Sequence, residues 1–158
     1  MDREEVSAYV NAYCKLRDVQ FAAYEMYARR FHLTAKELFV LDLIWFEPEG
    51  CQQAYICDRL SATKQTISAI VKKFQKQGYL TPTESEVDRR GKIIRMTDAG
   101  RAYIEGIIPP AASAEIDAMA ELSGEDIAEL VRLTTLFSKH MDRKFREASE
   151  NLQNGAIE

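Results

Sequence analysis

The chain has 158 residues, of which 46% are hydrophobic and 29% are charged, and its formal net charge at pH 7 is −4. This composition is ordinary for a soluble globular protein, and the length suits one domain that buries a core. No apolar run approaches the roughly 18 residues of a membrane span. The acidic first residues do not resemble a secretory signal, so we expect a cytoplasmic protein without membrane contact.

Charge is distributed unevenly along the chain. Residues 1–58 have a net charge of −4 and residues 102–158 a net charge of −6, whereas residues 59–101 hold ten Lys/Arg and four Asp/Glu, a net charge of +6. A basic segment between acidic ends is typical of a surface that binds a polyanion. Chance clustering of solvated charges is the alternative.

Three helices are predicted in the first third of the chain. Apolar residues at spacings of three to five predict a long helix over residues 3–31. Thr34 and Glu37 have the spacing of a capping box, which predicts the start of a second helix that Pro48 and Gly50 end. A short third helix fits residues 53–60.

A fourth helix follows and reaches about residue 77, with either Ser61 or Thr63 as its N-cap. Gly78 suits the left-handed position just past its end. Ile67, Ile70, Val71 and Phe74 share one face of this helix. Its opposite face is polar or small and carries Gln65, Ser68, Ala69, Lys72 and Lys76.

Two short strands are predicted next, over residues 80–86 and 93–97, with a polar turn between them. Pro82 makes the first strand an edge strand. Arg89, Arg90 and Lys92 place positive charge at the tip of this hairpin, and Asp88 is interpreted as a partner that orients one arginine. A plain solvated turn is the alternative.

The last third of the chain predicts more helix. A helix begins near Thr97 and Asp98, and Pro109 and Pro110 should kink or divide it. Ser123 is predicted to cap the final helix, whose apolar stripe of about heptad spacing runs to residue 152.

The order of helix, short helix, tight turn, amphipathic helix and basic hairpin is that of a winged helix-turn-helix. We therefore predict a mostly α fold with a small β wing. The prediction is a single domain over residues 1–158, with the winged helix-turn-helix at 34–97 and dimerisation helices at 3–31 and 98–152. Two apolar terminal helices would leave a large apolar area exposed on a monomer, which favours a two-fold homodimer.

The segment from residue 60 to residue 103 resembles the DNA-binding core of the multiple-antibiotic-resistance regulator (MarR) family. The resemblance lies in residues 61–73, in Gly78-Tyr79-Leu80, in Asp88-Arg89-Arg90 and in residues 94–101, which include Thr97-Asp98-Ala99-Gly100. It implies a dimer whose fourth helices enter successive major grooves of a pseudo-palindromic double-stranded operator, while the wings reach the minor groove.

Residue by residue, the resemblance assigns DNA contacts to the fourth helix and to the wing. The residues expected to contact DNA are Ser61, Thr63, Lys64, Gln65, Thr66, Ser68, Lys72, Arg89, Arg90 and Lys92. The sequence departs from the family at Ala69, where an arginine is frequent, so Lys72 is expected to replace that contact or the preferred site to differ.

The family also suggests a small aromatic or amphipathic anion as effector, which would release a repressor from DNA. The expected pocket is formed by Tyr13, Arg17, Tyr24, Phe39 and Trp45. A plain core role for the same residues is the alternative.

A second possible switch is oxidation of Cys14 in the first helix; Cys51 and Cys57 are interpreted as small buried hydrophobic residues. Neither His32 nor His140 stands in a metal-binding spacing, and no catalytic or cofactor motif is present, so no metal, cofactor or enzymatic activity is expected. The competing interpretation is a winged helix that contacts proteins, which would not require both a basic wing and a basic segment.

Overall fold

The computed structural model describes residues 1–84 and 92–155 of the chain. The helices and strands within these ranges are, in chain order, α1 (Arg3–Arg29), α2 (Ala35–Trp45), β1 (Cys51–Gln52), α3 (Gln53–Arg59), α4 (Lys64–Lys76), β2 (Leu80–Glu84), β3 (Lys92–Met96), α5 (Asp98–Ile104), α6 (Ile108–Ala120) and α7 (Gly124–Gly155). The predicted fold class, mostly α with a small β wing, is confirmed. No helix in the described ranges is long and apolar enough to span a membrane.

The chain divides into two compact units, Met1–Ala112 and Ser113–Glu158. The first unit holds α1 to α5, the sheet and the start of α6. Its core is apolar and includes Leu41 and Ile44 of α2, Phe74 of α4 and Ile94 of β3, all almost fully buried. Burial of these residues from three elements fixes the position of α4 against the rest of the unit.

Helix α1 ends two residues before the predicted boundary and packs on the core only near its end. Ala28 is fully buried there, and the Tyr27 hydroxyl donates a hydrogen bond of 2.7 Å to the carbonyl oxygen of Ile107. Burial raises the pKa of Tyr27 above its ordinary value. The earlier turns of α1 expose their apolar side chains, as Tyr9 does at 69% exposure.

The predicted capping box at the start of α2 is confirmed. The Thr34 hydroxyl accepts a hydrogen bond from the Glu37 amide at 3.2 Å, and the Glu37 carboxylate accepts one from the Thr34 amide at 3.0 Å. Glu25 of α1 adds a third bond, because its carboxylate accepts from the Ala35 amide at 2.8 Å. That bond, followed by one from Arg29, lowers the pKa of Glu25.

The turn between α3 and α4 is tight and left-handed at one residue. Ser61 has a φ of 45°, and the Ala62 amide donates to the Cys57 carbonyl oxygen at 2.9 Å. Of the two candidate caps, Thr63 is the N-cap of α4, since its hydroxyl accepts from the Thr66 amide at 3.2 Å.

The sheet has three strands in the order β1-β3-β2, all antiparallel. Strands β2 and β3 form the predicted hairpin, in which Leu80 pairs with Met96 and Glu84 with Lys92. The last two residues predicted for the first strand, 85 and 86, lie outside the described residues. Strand β1, where Cys51 pairs with Ile94, was not predicted from the sequence.

The residue just past the end of α4 is hydrogen-bonded to the N-cap of α5. Gly78 has a φ of +78°, as the predicted left-handed position requires, and its carbonyl accepts from the Thr97 hydroxyl at 2.6 Å. The Thr97 hydroxyl also caps α5 by accepting from the Gly100 amide at 3.0 Å. A Cβ at position 100 would overlap the backbone carbonyl of Tyr79, so glycine is required there by close approach.

The predicted helix through the proline pair is divided, but the division precedes the prolines. Helix α5 ends at Ile104, and α6 begins at Ile108 with Pro109 and Pro110 as its next two residues. Proline is tolerated in the first turn because the amides there have no helical partner.

The second unit holds the rest of α6 and the long α7. Ser123 provides the predicted cap, with its hydroxyl accepting from the Asp126 amide at 3.1 Å. The apolar stripe of α7 is exposed in the single chain, as Val131, Met141 and Phe145 illustrate. The predicted single-domain organisation and its dimerisation helices remain predictions.

Candidate nucleic-acid interface

Helix α4 has one buried apolar face and one exposed polar face. Ile67, Ile70, Val71 and Phe74 are buried, as predicted. The opposite side is solvent-exposed at Gln65, Ala69, Lys72 and Lys76. An exposed helix face with amide and ammonium donors, and with a small residue between them, has the chemistry that base edges and phosphates require.

Ser68 differs from the other residues predicted on the exposed face. It is half-buried, and its hydroxyl accepts a hydrogen bond of 2.7 Å from the side-chain amide of Gln53 in α3. The same amide donates a longer bond of 3.4 Å to the carbonyl oxygen of Lys64. Ser68 therefore helps to join α3 and α4. Its hydroxyl oxygen accepts from Gln53, and its hydroxyl proton can still be donated to an acceptor on DNA.

Two threonines at the start of α4 are engaged in its cap. The Thr63 hydroxyl lies 2.9 Å from the Thr66 hydroxyl, in addition to its bond with the Thr66 amide. Thr63 is exposed and Thr66 is half-buried. Any contact of Thr63 or Thr66 with DNA would therefore have to form while these hydrogen bonds at the start of the helix are kept.

A cavity of about 420 Å³ lies between α3, α4 and the start of β3. It is lined by Gln53, Ala54, Cys57, Asp58, Lys64, Ser68 and Lys92. Two of the predicted DNA-contacting lysines, Lys64 and Lys92, thus come from different elements to one concavity. A lysine ammonium suits a phosphate oxygen as a compact point charge, and Asp58 opposes that attraction.

Three predicted wing residues, Asp88, Arg89 and Arg90, lie outside the described residues. Ser61 lies in the turn that leads into α4 and is exposed there. The structure therefore brings Ser61, Lys64, Gln65 and Lys72 onto α4 or the turn before it.

The five residues of the predicted effector pocket occupy different parts of the first unit. The rings of Tyr24 and Phe39 meet edge to face, with centroids 4.9 Å apart. The Trp45 ring packs against the guanidinium of Arg101, 5.6 Å from its centroid. Tyr13 lies about 16 Å from Tyr24 along α1, given the rise of a helix.

The cation predicted for that pocket is already paired. The Arg17 guanidinium donates to the carboxylate of Asp18 at 3.0 and 3.3 Å, which raises the pKa of Arg17. An incoming carboxylate would have to compete with Asp18. The cavity beside α4 includes none of the five residues.

The three cysteines are free thiols in different surroundings. Cys51 is buried, and burial raises the pKa of its thiol to about 11, with a further contribution from Glu47. Cys14 and Cys57 are half-buried. Cys51 is therefore protonated and unreactive at neutral pH. Within the described ranges, no group of three or more His, Cys, Asp or Glu residues could hold a metal ion.

Sequence reasoning missed two residues that hold α4 in place. Gln53 is buried and bonds Ser68, as described, and Lys73 donates to Glu37 of α2 at 2.7 Å. Lys73 and Glu37 are 36 positions apart, so no local spacing could reveal the pair. Lys73 carries the same formal charge as Lys72, which is why composition alone could not separate the lysine that bonds Glu37 from the lysine expected to contact DNA.

The fold and the exposed face of α4 define a class of protein, the winged helix-turn-helix. Residues 33–91 match the model described as the MarR family. Residues 33–91 therefore resemble the MarR family, and the predicted resemblance is confirmed for that segment. No curated protein matches the chain significantly by sequence.

Several solved structures have a similar fold. The chain is 19% identical to MepR in the S. aureus MepR–DNA complex, with a TM-score of 0.68 over 83% of this chain and 96% of that one. AbsC, a MarR family transcriptional regulator from Streptomyces coelicolor, is 19% identical with a TM-score of 0.72 over 90% and 97%. A MarR family regulator from Neisseria meningitidis is 20% identical with a TM-score of 0.70 over 93% and 99%. At these identities the likeness concerns the fold.

Proposed function

We propose that the protein is a homodimeric transcription regulator that binds double-stranded DNA in a sequence-specific manner, most simply as a repressor. The observation that carries the proposal is the exposed face of α4, with Gln65, Ala69 and Lys72 side by side along a helix whose other face is buried. An α-helix fits the major groove, and glutamine can bond two edge atoms of an adenine. Helix α4 would therefore be the reading element.

Electrostatics support a nucleic acid as the partner. Lys64 and Lys92 line one concavity beside α4, and Lys72 and Lys76 are exposed farther along the helix. Each lysine that neutralises a phosphate releases counterions, which makes binding favourable and dependent on salt. The net charge of +6 over residues 59–101 is the sequence-level counterpart of this surface.

The solved relatives support the same partner by analogy. MepR of S. aureus has been solved as a complex with DNA. The fold of that protein aligns with most of the present chain, so its partner is a reasonable one for the present α4. This support comes from a protein of similar fold, whereas the exposed face of α4 is observed in this chain itself.

A second copy of the chain is the proposed occupant of the exposed apolar faces of α1 and α7. Each of the two compact units carries such a face, with Tyr9 and Leu16 on α1 and Val131 and Phe145 on α7. Soluble monomers rarely expose contiguous apolar patches of this extent. Closed two-fold symmetry would cover both faces and would match a pseudo-palindromic operator with half-sites one helical turn apart.

Release of DNA by a small aromatic or amphipathic anion remains part of the proposal on the strength of the family resemblance. The Tyr24 and Phe39 rings provide one apolar wall for such a ligand. Arg17, held by Asp18, would have to exchange that partner for the ligand.

The test is selection of duplexes of about 25 random base pairs on the full-length chain, a length that spans two half-sites. Fluorescence anisotropy then compares the selected duplex with a scrambled one at about 150 mM salt, where non-specific binding is weak. We expect a preference of about a thousandfold or more for the selected duplex. Lys36→Met, a change at an exposed position on α2, is the matched control for lysine substitutions in α4.

Equal and weak binding to both duplexes would contradict the proposal. The winged helix would then be better explained as a surface for protein contacts, the alternative that the sequence left open.

A further inference from the structure

Lys73 is the lysine of α4 whose ammonium reaches another helix of the first unit, although its side chain remains 41% exposed. Its ammonium donates to the carboxylate of Glu37 at 2.7 Å, across 36 residues of sequence. Glu37 is only 9% exposed, although glutamate is rarely buried without a partner. The pair joins the last turn of α4 to the first turn of α2.

The carboxylate that Lys73 meets is itself held in place. One oxygen of Glu37 accepts from the Thr34 amide and the other from Lys73, so both oxygens are engaged. The adjacent Ala35 amide is bonded to Glu25 of α1. Lys73 is therefore attached to a fixed point at the start of α2 rather than to a mobile surface side chain.

Two other contacts hold α4, one on each side of Lys73. Toward its start, Gln53 bonds Ser68 at 2.7 Å. Just past its end, the Tyr79 ring stacks on Tyr103, with centroids 4.5 Å apart and an interplanar angle of 12°. Of these three contacts, the Lys73–Glu37 bond is the one that carries charge, and charge-assisted hydrogen bonds are stronger than neutral ones.

We propose that Lys73 is a positioning residue for sequence recognition and that it acts through Glu37 rather than by contact with DNA. Its bond sets the rotation of α4 about its axis, and so the angle at which Gln65 and Lys72 meet the groove. The inference rests on the proposed function.

The neighbouring lysine provides a matched control. Lys72 and Lys73 are adjacent on the same helix, carry the same charge and are both exposed, but it is Lys73 whose ammonium is bonded to Glu37. We expect Lys72→Met to reduce the slope of log affinity against log salt by about 0.9, the contribution of one phosphate contact. We expect Lys73→Met to leave that slope unchanged and to lower the ratio of affinities for selected over scrambled duplex roughly tenfold, comparable with one mismatched base pair.

Three more variants separate positioning from a general structural role. Glu37→Gln should lower the ratio of affinities by the same factor as Lys73→Met, and the double variant should lose no more than either single one, because both remove one bond. Lys73→Arg should retain most of the selectivity, since arginine can also bond Glu37. Circular dichroism of each variant confirms that the chain is folded before binding is measured.

A fall in the salt slope for Lys73→Met equal to that for Lys72→Met would overturn the inference, since Lys73 would then be a phosphate contact. Additive losses in the double variant would overturn it as well. A wild-type chain with no preference between the two duplexes would instead contradict the proposed function itself.

Discussion

Side chains on α4 divide into those that build the fold and those that are left for a partner. Thr63 and Thr66 close the helix cap, Ser68 accepts from α3, and Lys73 reaches Glu37. Gln65, by contrast, is exposed one position after the helix begins. Its amide carries both a donor and an acceptor, the combination that a base edge requires, so Gln65 is the residue proposed to read a base.

Substitution of Gln65 should therefore change which sequence is preferred. For Gln65→Ala we expect a loss of about 1–3 kcal/mol on the selected duplex and a much smaller loss on duplexes altered at one base pair. Anisotropy on a set of duplexes with single base-pair changes measures this. Equal losses on every duplex would show that Gln65 does not read a base.

Glycine at position 100 has a structural reason that the sequence motif did not reveal. The start of α5 lies directly against the chain that leaves α4, and the Thr97 hydroxyl bonds Gly78 across the contact. A side chain at Gly100 would meet the Tyr79 carbonyl. Two of the motifs on which the family resemblance rests therefore contact each other: Gly78-Tyr79-Leu80 after α4 and Thr97-Asp98-Ala99-Gly100 at the start of α5.

Gly100→Ala should destabilise the fold by about 1–3 kcal/mol, the usual cost of forcing atoms into a packed contact. Gly106→Ala is the control, because a Cβ there meets nothing within 4 Å, and a change of at most about 0.5 kcal/mol is expected. Urea unfolding measures both free energies. A Gly100→Ala protein as stable as the wild type would mean that position 100 can move away from the Tyr79 carbonyl without loss of stability.

The sequence predicted the elements whose signals are local. The Thr34–Glu37 box, the apolar face of α4 and the Gly78 helix end all depend on residues within a few positions of one another, and each was found in the structure. Strand β1 has two residues and depends on pairing with Ile93 and Ile94 about 40 positions later. The other contacts that were not predicted likewise join residues far apart in the sequence.

The same difference explains what could be predicted of the candidate site. The exposed polar face of α4 follows from helical periodicity, so Gln65 and Lys72 were placed correctly on it. That Ser68 turns toward Gln53 and Lys73 toward Glu37 depends on tertiary packing. The effector pocket was predicted from residue types alone, which do not determine whether the side chains meet.

At the scale of the whole molecule, exposed apolar surface is the feature that needs explanation. Phe145 is 67% exposed in the single chain, and other apolar residues of α1 and α7 are similarly uncovered. Transfer of apolar surface out of water yields about 25 cal/mol per Å². A second copy would recover that free energy.

We expect a mass of about twice the 18.0 kDa of the chain in sedimentation equilibrium at micromolar concentration. Phe145→Glu should shift the mass toward that of one chain, because it places a charge in the covered face. Phe46→Glu, which changes another exposed aromatic residue, at the end of α2, should leave the mass at that of the wild type. A wild-type protein that sediments as a single chain would refute the dimer.

The separation of buried and exposed faces on α4 lets the exposed face change in evolution independently of the core. Replacement of Gln65, Ala69 or Lys72 touches no core atom, so its effect on stability stays within about 0.5 kcal/mol. If α4 reads DNA as proposed, descendants of this chain could acquire new target genes through substitutions at these three surface positions while the core remains intact. Duplicated copies would be expected to differ first at these positions, long before their cores do.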